Sequence, residues 1–349
     1  MALIAKFSAS TEKQMKTMYD FYTLDSKEYQ QVDTLISSIK RTVSDENDLH
    51  QTALHASQDM PRSLRAMFAE FRGEHLGVAL RVDGFEIDDS LIGATPSNTH
   101  SSLNRPIMRE DIYLVLMAYC LGTPYSFASQ QGGHLTQNIV PMKSVELTQL
   151  GAGSKEELVW HTEDAFSDNR PDFILLLGLR NPQSVATTVC ALPPETDNED
   201  IDALFSKNFY FLPDSDHASH LAQATGEAAR AAYLRMQEIL KHPIKESILF
   251  GDRERPYIRI DPHFMKFANI EDESVAAYFR LADRIDSAQQ DIVINPGELL
   301  IIDNHRAVHG RRSFTARYND RDRWLKKINV TQDFKRMREY NIHERSFAI

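Results

Sequence analysis

The chain has 349 residues and a formal net charge of -11, from 39 basic and 50 acidic side chains. That acidity repels phosphate backbones and argues against nucleic-acid binding. An apolar content of 42%, with 18 Phe and 12 Tyr, excludes disorder and suffices for a packed core. Two cysteines, Cys120 and Cys190, sit in apolar surroundings and read as buried free thiols rather than a disulfide framework. No basic stretch followed by an apolar run opens the chain, and no apolar stretch approaches about 18 residues. A cytoplasmic protein with no membrane span is expected.

Residues 1–75 read as mainly helical. Met15, Met18, Phe21 and Tyr22 recur at helical spacing, as do Val32, Leu35, Ile36 and Ile39, and then Leu64, Met67, Phe68 and Phe71. Leu76–Val82, ended by Asp83-Gly84, reads as a strand and turn. Ile112–Leu121 returns to helix. Short β-like runs follow at Val145–Leu150, Glu157–His161, Phe173–Leu179, Val185–Leu192, Asn208–Leu212, Ile248–Gly251 and Tyr257–Asp261. Asp291–Ile294, Glu298–Asp303 and Trp324–Val330 complete them. Helical insertions interrupt the run near 217–241 and 272–287. Many short strands with turns between them predict a mainly β sandwich or jelly roll. There is no repeat and no clean linker, so 1–349 reads as one domain, with 1–122 a helical cover and 123–335 the core.

The segment Trp160-His161-Thr162-Glu163-Asp164-Ala165-Phe166 follows a predicted strand. On a strand, residues two apart share a face, so His161 and Glu163 stand side by side. An imidazole and a carboxylate form part of a facial site that suits Fe(II) and leaves open positions. By itself the pair is weak, since about two such pairs arise by chance in this composition. A second element, Gly297-Glu298-Leu299-Leu300-Ile301-Ile302-Asp303-Asn304, runs through a polar loop to His309-Gly310-Arg311. His309 is the candidate third ligand, with His305 as its competitor. Arg323 opens the strand Arg323-Trp324-Leu325-Lys326-Lys327, where a buried guanidinium suits a carboxylate partner. The basic pairs Arg311–Arg312 and Lys326–Lys327 read either as solvated surface or as a pocket for anionic groups.

In order and spacing these residues resemble the Fe(II)/2-oxoglutarate-dependent oxygenases of the clavaminate synthase-like group, in the branch that hydroxylates free arginine, lysine or asparagine. The resemblance spans about Phe127 to Val330 and includes Arg170-Pro171-Asp172-Phe173 and Leu179-Arg180. It implies a distorted jelly roll, the double-stranded β-helix, with Fe(II) on His161, Glu163 and His309. It implies 2-oxoglutarate paired with Arg323 and assisted by a hydroxyl matching Thr188, with Thr187 its neighbour and rival. The implied reaction consumes O2, releases succinate and CO2, and hydroxylates a C–H bond. The related halogenases lack the carboxylate ligand, so Glu163 favours hydroxylation.

The resemblance also implies that Gln130, Asp261 and Lys327 contact an L-amino acid. A buried carboxylate at Asp261 suits a cationic side chain. The arginine-type pattern carries a second acid where this chain has His263, and an arginine where it has Lys327. A free basic L-amino acid is therefore expected, lysine ahead of arginine. Asparagine, glutamine, citrulline or a carrier-bound residue is the runner-up. A non-catalytic jelly-roll binding protein and a zinc hydrolase using the same ligands are readings from other classes. Segments 94–106 and 213–225, rich in Ser, Asn, Asp and His, are the expected lid.

Overall fold

The computed structural model describes residues 18–99, 106–214, 227–340 and 347–349. Seven α-helices lie among them: α1 (Ser26–Lys40), α2 (Glu46–Ala56), α3 (Arg62–Arg72), α4 (Arg109–Leu121), α5 (Asn198–Leu204), α6 (Glu227–Lys241) and α7 (Glu273–Ala288). Helix α1 starts where the Asp25 carboxylate accepts the backbone N–H groups of Lys27 and Glu28, and the Glu28 side chain accepts from the Asp25 N–H in return. Its apolar stripe buries Val32, Ile36 and Ile39.

The strands are β1 (Tyr19–Thr23), β2 (Ala79–Asp83), β3 (Thr123–Tyr125), β4 (Gln137–Ile139), β5 (Leu158–His161), β6 (Phe173–Arg180) and β7 (Ala186–Ala191). Five short ones follow: β8 (Phe209–Phe211), β9 (Lys245–Glu246), β10 (Leu249–Gly251), β11 (Pro256–Ile258) and β12 (Met265–Phe267). The last four are β13 (Gln290–Val293), β14 (Leu299–Asp303), β15 (Ala307–Arg311) and β16 (Trp324–Thr331).

Two sheets carry the site. The larger runs β1-β2-β14-β6-β16-β3, with β4 also on β16; the smaller runs β13-β7-β15-β5. Strand β6 is apolar at nearly every position because both of its faces are covered. Leu175, Leu177 and Leu179 pack with α1–α4, while Ile174 and Leu176 join Val189, Ile292, Ala307 and Leu325 between the sheets. Each fully buried Val, Leu or Ile side chain among them contributes about 1.5–3 kcal/mol relative to exposure. A second cluster, built from Trp160, Cys190, Val308 and the α7 residues Ala277, Leu281 and Ile285, packs on the smaller sheet.

Several local expectations change. Residues 19–22 form a strand, not a helix: β1 pairs in parallel with β2 across all five positions, and that ladder overrides the helical spacing. Met15 lies outside the described residues. Val145–Leu150 is not a strand. Its backbone closes turns, with Val145 N–H on Met142 O and Thr148 N–H on Val145 O. Helix α2 falls within the stretch read as mainly helical, although no stripe was named for it, because it buries only Leu49 and Ala53. The expected helix near 217–241 is seen from Glu227; residues 215–226 lie outside the described set. Both cysteines are free, Cys190 buried and Cys120 partly so. Among the described residues no helix is long and apolar enough to cross a membrane.

Candidate metal and co-substrate site

The two candidate histidines are far apart in sequence but adjacent in the smaller sheet. In the antiparallel pairing of β15 with β5, His309 stands directly opposite His161. Cross-strand neighbours on one face bring their side chains within contact, and here the ring centroids are 4.6 Å apart. His309 is therefore a strand residue, not the end of a polar loop. Glu163 lies just past the end of β5. Its Oε2 is 3.4 Å from His309 Nε2 and 3.9 Å from His161 Nε2. One atom from each of the three residues falls within 4.8 Å of the others. The His161 Nδ1–H donates to Val159 O at 2.9 Å, which turns Nε2 toward the cluster.

The charges around this cluster suit a cation. Burial would push the Glu163 carboxyl up, but the Lys327 ammonium and the two imidazoles hold it well below the usual range. Burial likewise pulls on His161, yet the Glu163 and Asp261 carboxylates raise it to about 9. His309 is lowered to about 4 by burial and by the neighbouring His161. Lys327 donates to Glu163 Oε1, the oxygen turned away from the histidines. Two imidazoles and one carboxylate with an open side form a donor set that Fe(II) accepts.

These groups line a cavity of about 150 Å³. Arg323 enters it from the position just before β16. The side chain is buried, has no carboxylate partner among the described residues, and leaves Nε without a hydrogen bond. Burial, together with the like charge of Arg311, pulls its guanidinium down to about 9. A buried cation in that condition fits an incoming carboxylate. Among the described residues its one polar contact is Nη2 to Thr187 Oγ1, at 3.5 Å.

That contact places the Thr187 hydroxyl, rather than that of Thr188, beside Arg323. Thr187 lines the cavity and Thr188 does not, because neighbouring residues on β7 point to opposite faces. Gln130, Asp261 and Lys327 all line the cavity. The Gln130 amide donates to Asp164 Oδ1 and accepts from Gln137 Nε2. Asp261 Oδ1 accepts the backbone N–H groups of His263 and Phe264, and burial raises its carboxyl. The side chain is brought near His161 because Thr162 N–H donates to Ile260 O, and the Thr162 hydroxyl accepts from Ile260 N–H. His305 lies elsewhere: its Nε2 meets Asp172 Oδ1 at 2.7 Å.

The basic pairs fit neither reading as a whole, and buried Lys326 fits neither of the two. Arg311 is buried at the cavity wall and donates to Ser154 O and Glu156 O, while Arg312 pairs with Glu157 and Asp291 nearer the surface. Lys327 faces the site, but Lys326, one residue earlier, faces the helices and pairs with Asp111 at 2.7 Å. Of the expected lid, Thr99 and Asp214 line the cavity, and residues 100–105 and 215–226 lie outside the described set. Asn304 had no assigned role in the sequence. It is buried against the backbone of Glu163, a contact across 141 residues that no local pattern signals.

Residues 117–328 match the model of the taurine catabolism dioxygenase TauD, TfdA family. Enduracididine beta-hydroxylase of Streptomyces hygroscopicus is 38% identical over 291 residues, covering 81% of this chain and 85% of that protein. L-ornithine/L-arginine 3-hydroxylase of Catenulispora acidiphila is 34% identical over 306 residues, covering 85% and 89%. Among solved structures, the non-haem iron oxygenase OrfP in complex with Fe, succinate and (3S)-hydroxy-L-Arg superposes with a TM-score of 0.87. It is 34% identical, with 94% of this chain and 99% of that chain covered; OrfP has also been solved with Fe and alpha-ketoglutaric acid. The chain belongs to the taurine catabolism dioxygenase TauD, TfdA family.

Proposed function

We propose that the protein hydroxylates an unactivated C–H bond of a free basic L-amino acid, consuming O2 and 2-oxoglutarate and releasing succinate and CO2. The observation that carries this reading is the conjunction, in one cavity, of the His161/Glu163/His309 cluster with the buried, carboxylate-free Arg323 guanidinium. His161, Glu163 and His309 would hold Fe(II), which supplies the oxidising chemistry when bound. Arg323 would take the far carboxylate of 2-oxoglutarate, with the Thr187 hydroxyl beside it.

The remaining residues orient the amino acid. Lys327 would meet the α-carboxylate, Gln130 would hydrogen-bond the amino-acid head, and Asp261 would face the cationic side chain. A cation there would restore the charge that burial disfavours at Asp261. The two buried sheets, with β15 and β5 carrying the ligands, are read as the double-stranded β-helix of a single oxygenase domain. The similarity to an L-ornithine/L-arginine hydroxylase and to OrfP with hydroxy-arginine supports an arginine-type substrate over the lysine that His263 and Lys327 had put first. A neutral amino acid such as asparagine or citrulline is the second reading, favoured by His263 standing where a second acid was expected.

Anaerobic reconstitution with Fe(II), followed by oxygenation with single amino acids, tests this. Arginine, ornithine or lysine is expected to give equimolar succinate and a product heavier by one oxygen. Turnover confined to asparagine, glutamine or citrulline would overturn the basic-substrate reading. Succinate formation unchanged in Glu163→Ala would overturn the ligand assignment.

A further inference from the structure

We infer that Asn304 is a positioning residue that holds the Glu163 carboxylate in the iron site by clamping both sides of its backbone. Glu163 lies past the end of β5, where no ladder bond reaches it. Its N–H donates to Asn304 Oδ1 at 2.8 Å, and its C=O accepts from Asn304 Nδ2 at 3.1 Å. The second Nδ2 hydrogen goes to Pro171 O at 2.9 Å. The amide thus uses both of its donor hydrogens and an acceptor site, and Asn304 is fully buried.

The clamp is itself anchored. Asn304 N–H donates to Asp172 O at 3.0 Å. The Asp172 carboxylate in turn accepts from His305, Arg336, Thr331 and the Gln332 N–H. The next residue after Glu163, Asp164, turns the chain sharply with φ 51°. With a turn on one side and a strand end on the other, Asn304 is, among the described residues, the only partner of the Glu163 peptide groups. Losing it would free the carboxylate to drift relative to the two histidines. Groups that orient a metal ligand typically change metal affinity about 10–100-fold when removed.

The inference rests on Glu163 being an iron ligand, and the experiment separates the two claims. Anaerobic titration with Fe(II) alone is compared across wild type, Asn304→Asp, Asn304→Ala and Glu163→Ala, with folding checked by circular dichroism. Asn304→Asp keeps an acceptor for the Glu163 N–H but aims an oxygen at two carbonyls. Expected is Fe(II) binding weakened about 10–100-fold in both Asn304 variants, and weakened further in Glu163→Ala. Succinate formation should also become uncoupled from amino-acid hydroxylation in Asn304→Asp. Wild-type affinity and coupling in a folded Asn304 variant, with binding lost in Glu163→Ala, would overturn the clamp and leave the ligand assignment standing. Wild-type affinity in Glu163→Ala would overturn the ligand assignment itself. If neither Asn304 variant folds, hydrogen exchange of the wild-type Glu163 amide decides: slow exchange is expected, and exchange at the rate of an open loop would overturn the clamp.

Discussion

Individual side chains carry the chemistry, and two of them make sharp predictions. Arg323 is a buried cation with no anion beside it, so it costs stability until a carboxylate arrives. Arg323→Met is expected to raise the thermal stability of the free protein, by about 1–3 kcal/mol. It should also abolish stabilisation by 2-oxoglutarate measured anaerobically with Fe(II), which in wild type reaches about 2.7 kcal/mol at a hundredfold excess over Kd. A lower melting temperature in the free variant would contradict this reading. Asp172 behaves oppositely. Burial would raise its carboxyl, but His305, the Gln332 N–H and Arg336 depress it below its usual 3.8. Its contribution is therefore fully present above that value and is lost as pH falls below it. Asp172→Asn should be less stable than wild type at pH 7, and the gap should close in denaturation series taken below pH 3.8. At this scale the sequence was legible where chemistry selects the residue type, as for His161, Glu163 and Arg323. It was illegible where geometry selects between neighbours. Thr187 and Thr188 differ only in which face of β7 they meet, and one residue of register exchanges the faces.

Elements explain why those side chains converge. Along β16 and the residue before it, alternation sends Arg323, Leu325 and Lys327 to the cavity, and Trp324 and Lys326 to the helical layer. The Lys326 ammonium meets Asp111 in the first turn of α4, and Asp111 also accepts from the Thr136 hydroxyl. This buried pair ties α4 to the strand that bears Arg323. Lys326→Met removes the ammonium that faces the buried Asp111 carboxylate, so stability should fall by up to about 3–5 kcal/mol in urea titration. Gly310 beside His309 is equally constrained: a Cβ there would lie 2.4 Å from Leu158 O on β5. Gly310→Ala is expected to push β15 from β5 and to cut Fe(II) affinity more than it lowers global stability. Unchanged affinity would show that the β15–β5 spacing does not set the site. Apolar strands such as Phe173–Arg180 were readable because packing on both faces demands an unbroken run. Strand β1 was not, since its state is set by pairing with β2, which lies more than fifty residues further along.

The whole molecule is a β core covered on one side by α1–α4 and on the other by the cluster around α7. The N-terminal helices carry no site motif, yet their apolar faces pack on the larger sheet whose strand β16 aims Arg323 and Lys327. The site itself was readable only as an ordered set: His161 and Glu163 formed a chance-level pair until His309 and Arg323 were added. The amino acid was less readable, because His263 and Lys327 line the cavity where the arginine-type pattern carries an acid and an arginine. The most direct test is mass spectrometry of L-arginine turned over by the Fe(II)-loaded protein with 2-oxoglutarate under isotopically heavy O2. The account predicts one heavy oxygen on the amino acid and one succinate per product formed. Product oxygen drawn from water, or no product from any basic amino acid, would contradict it.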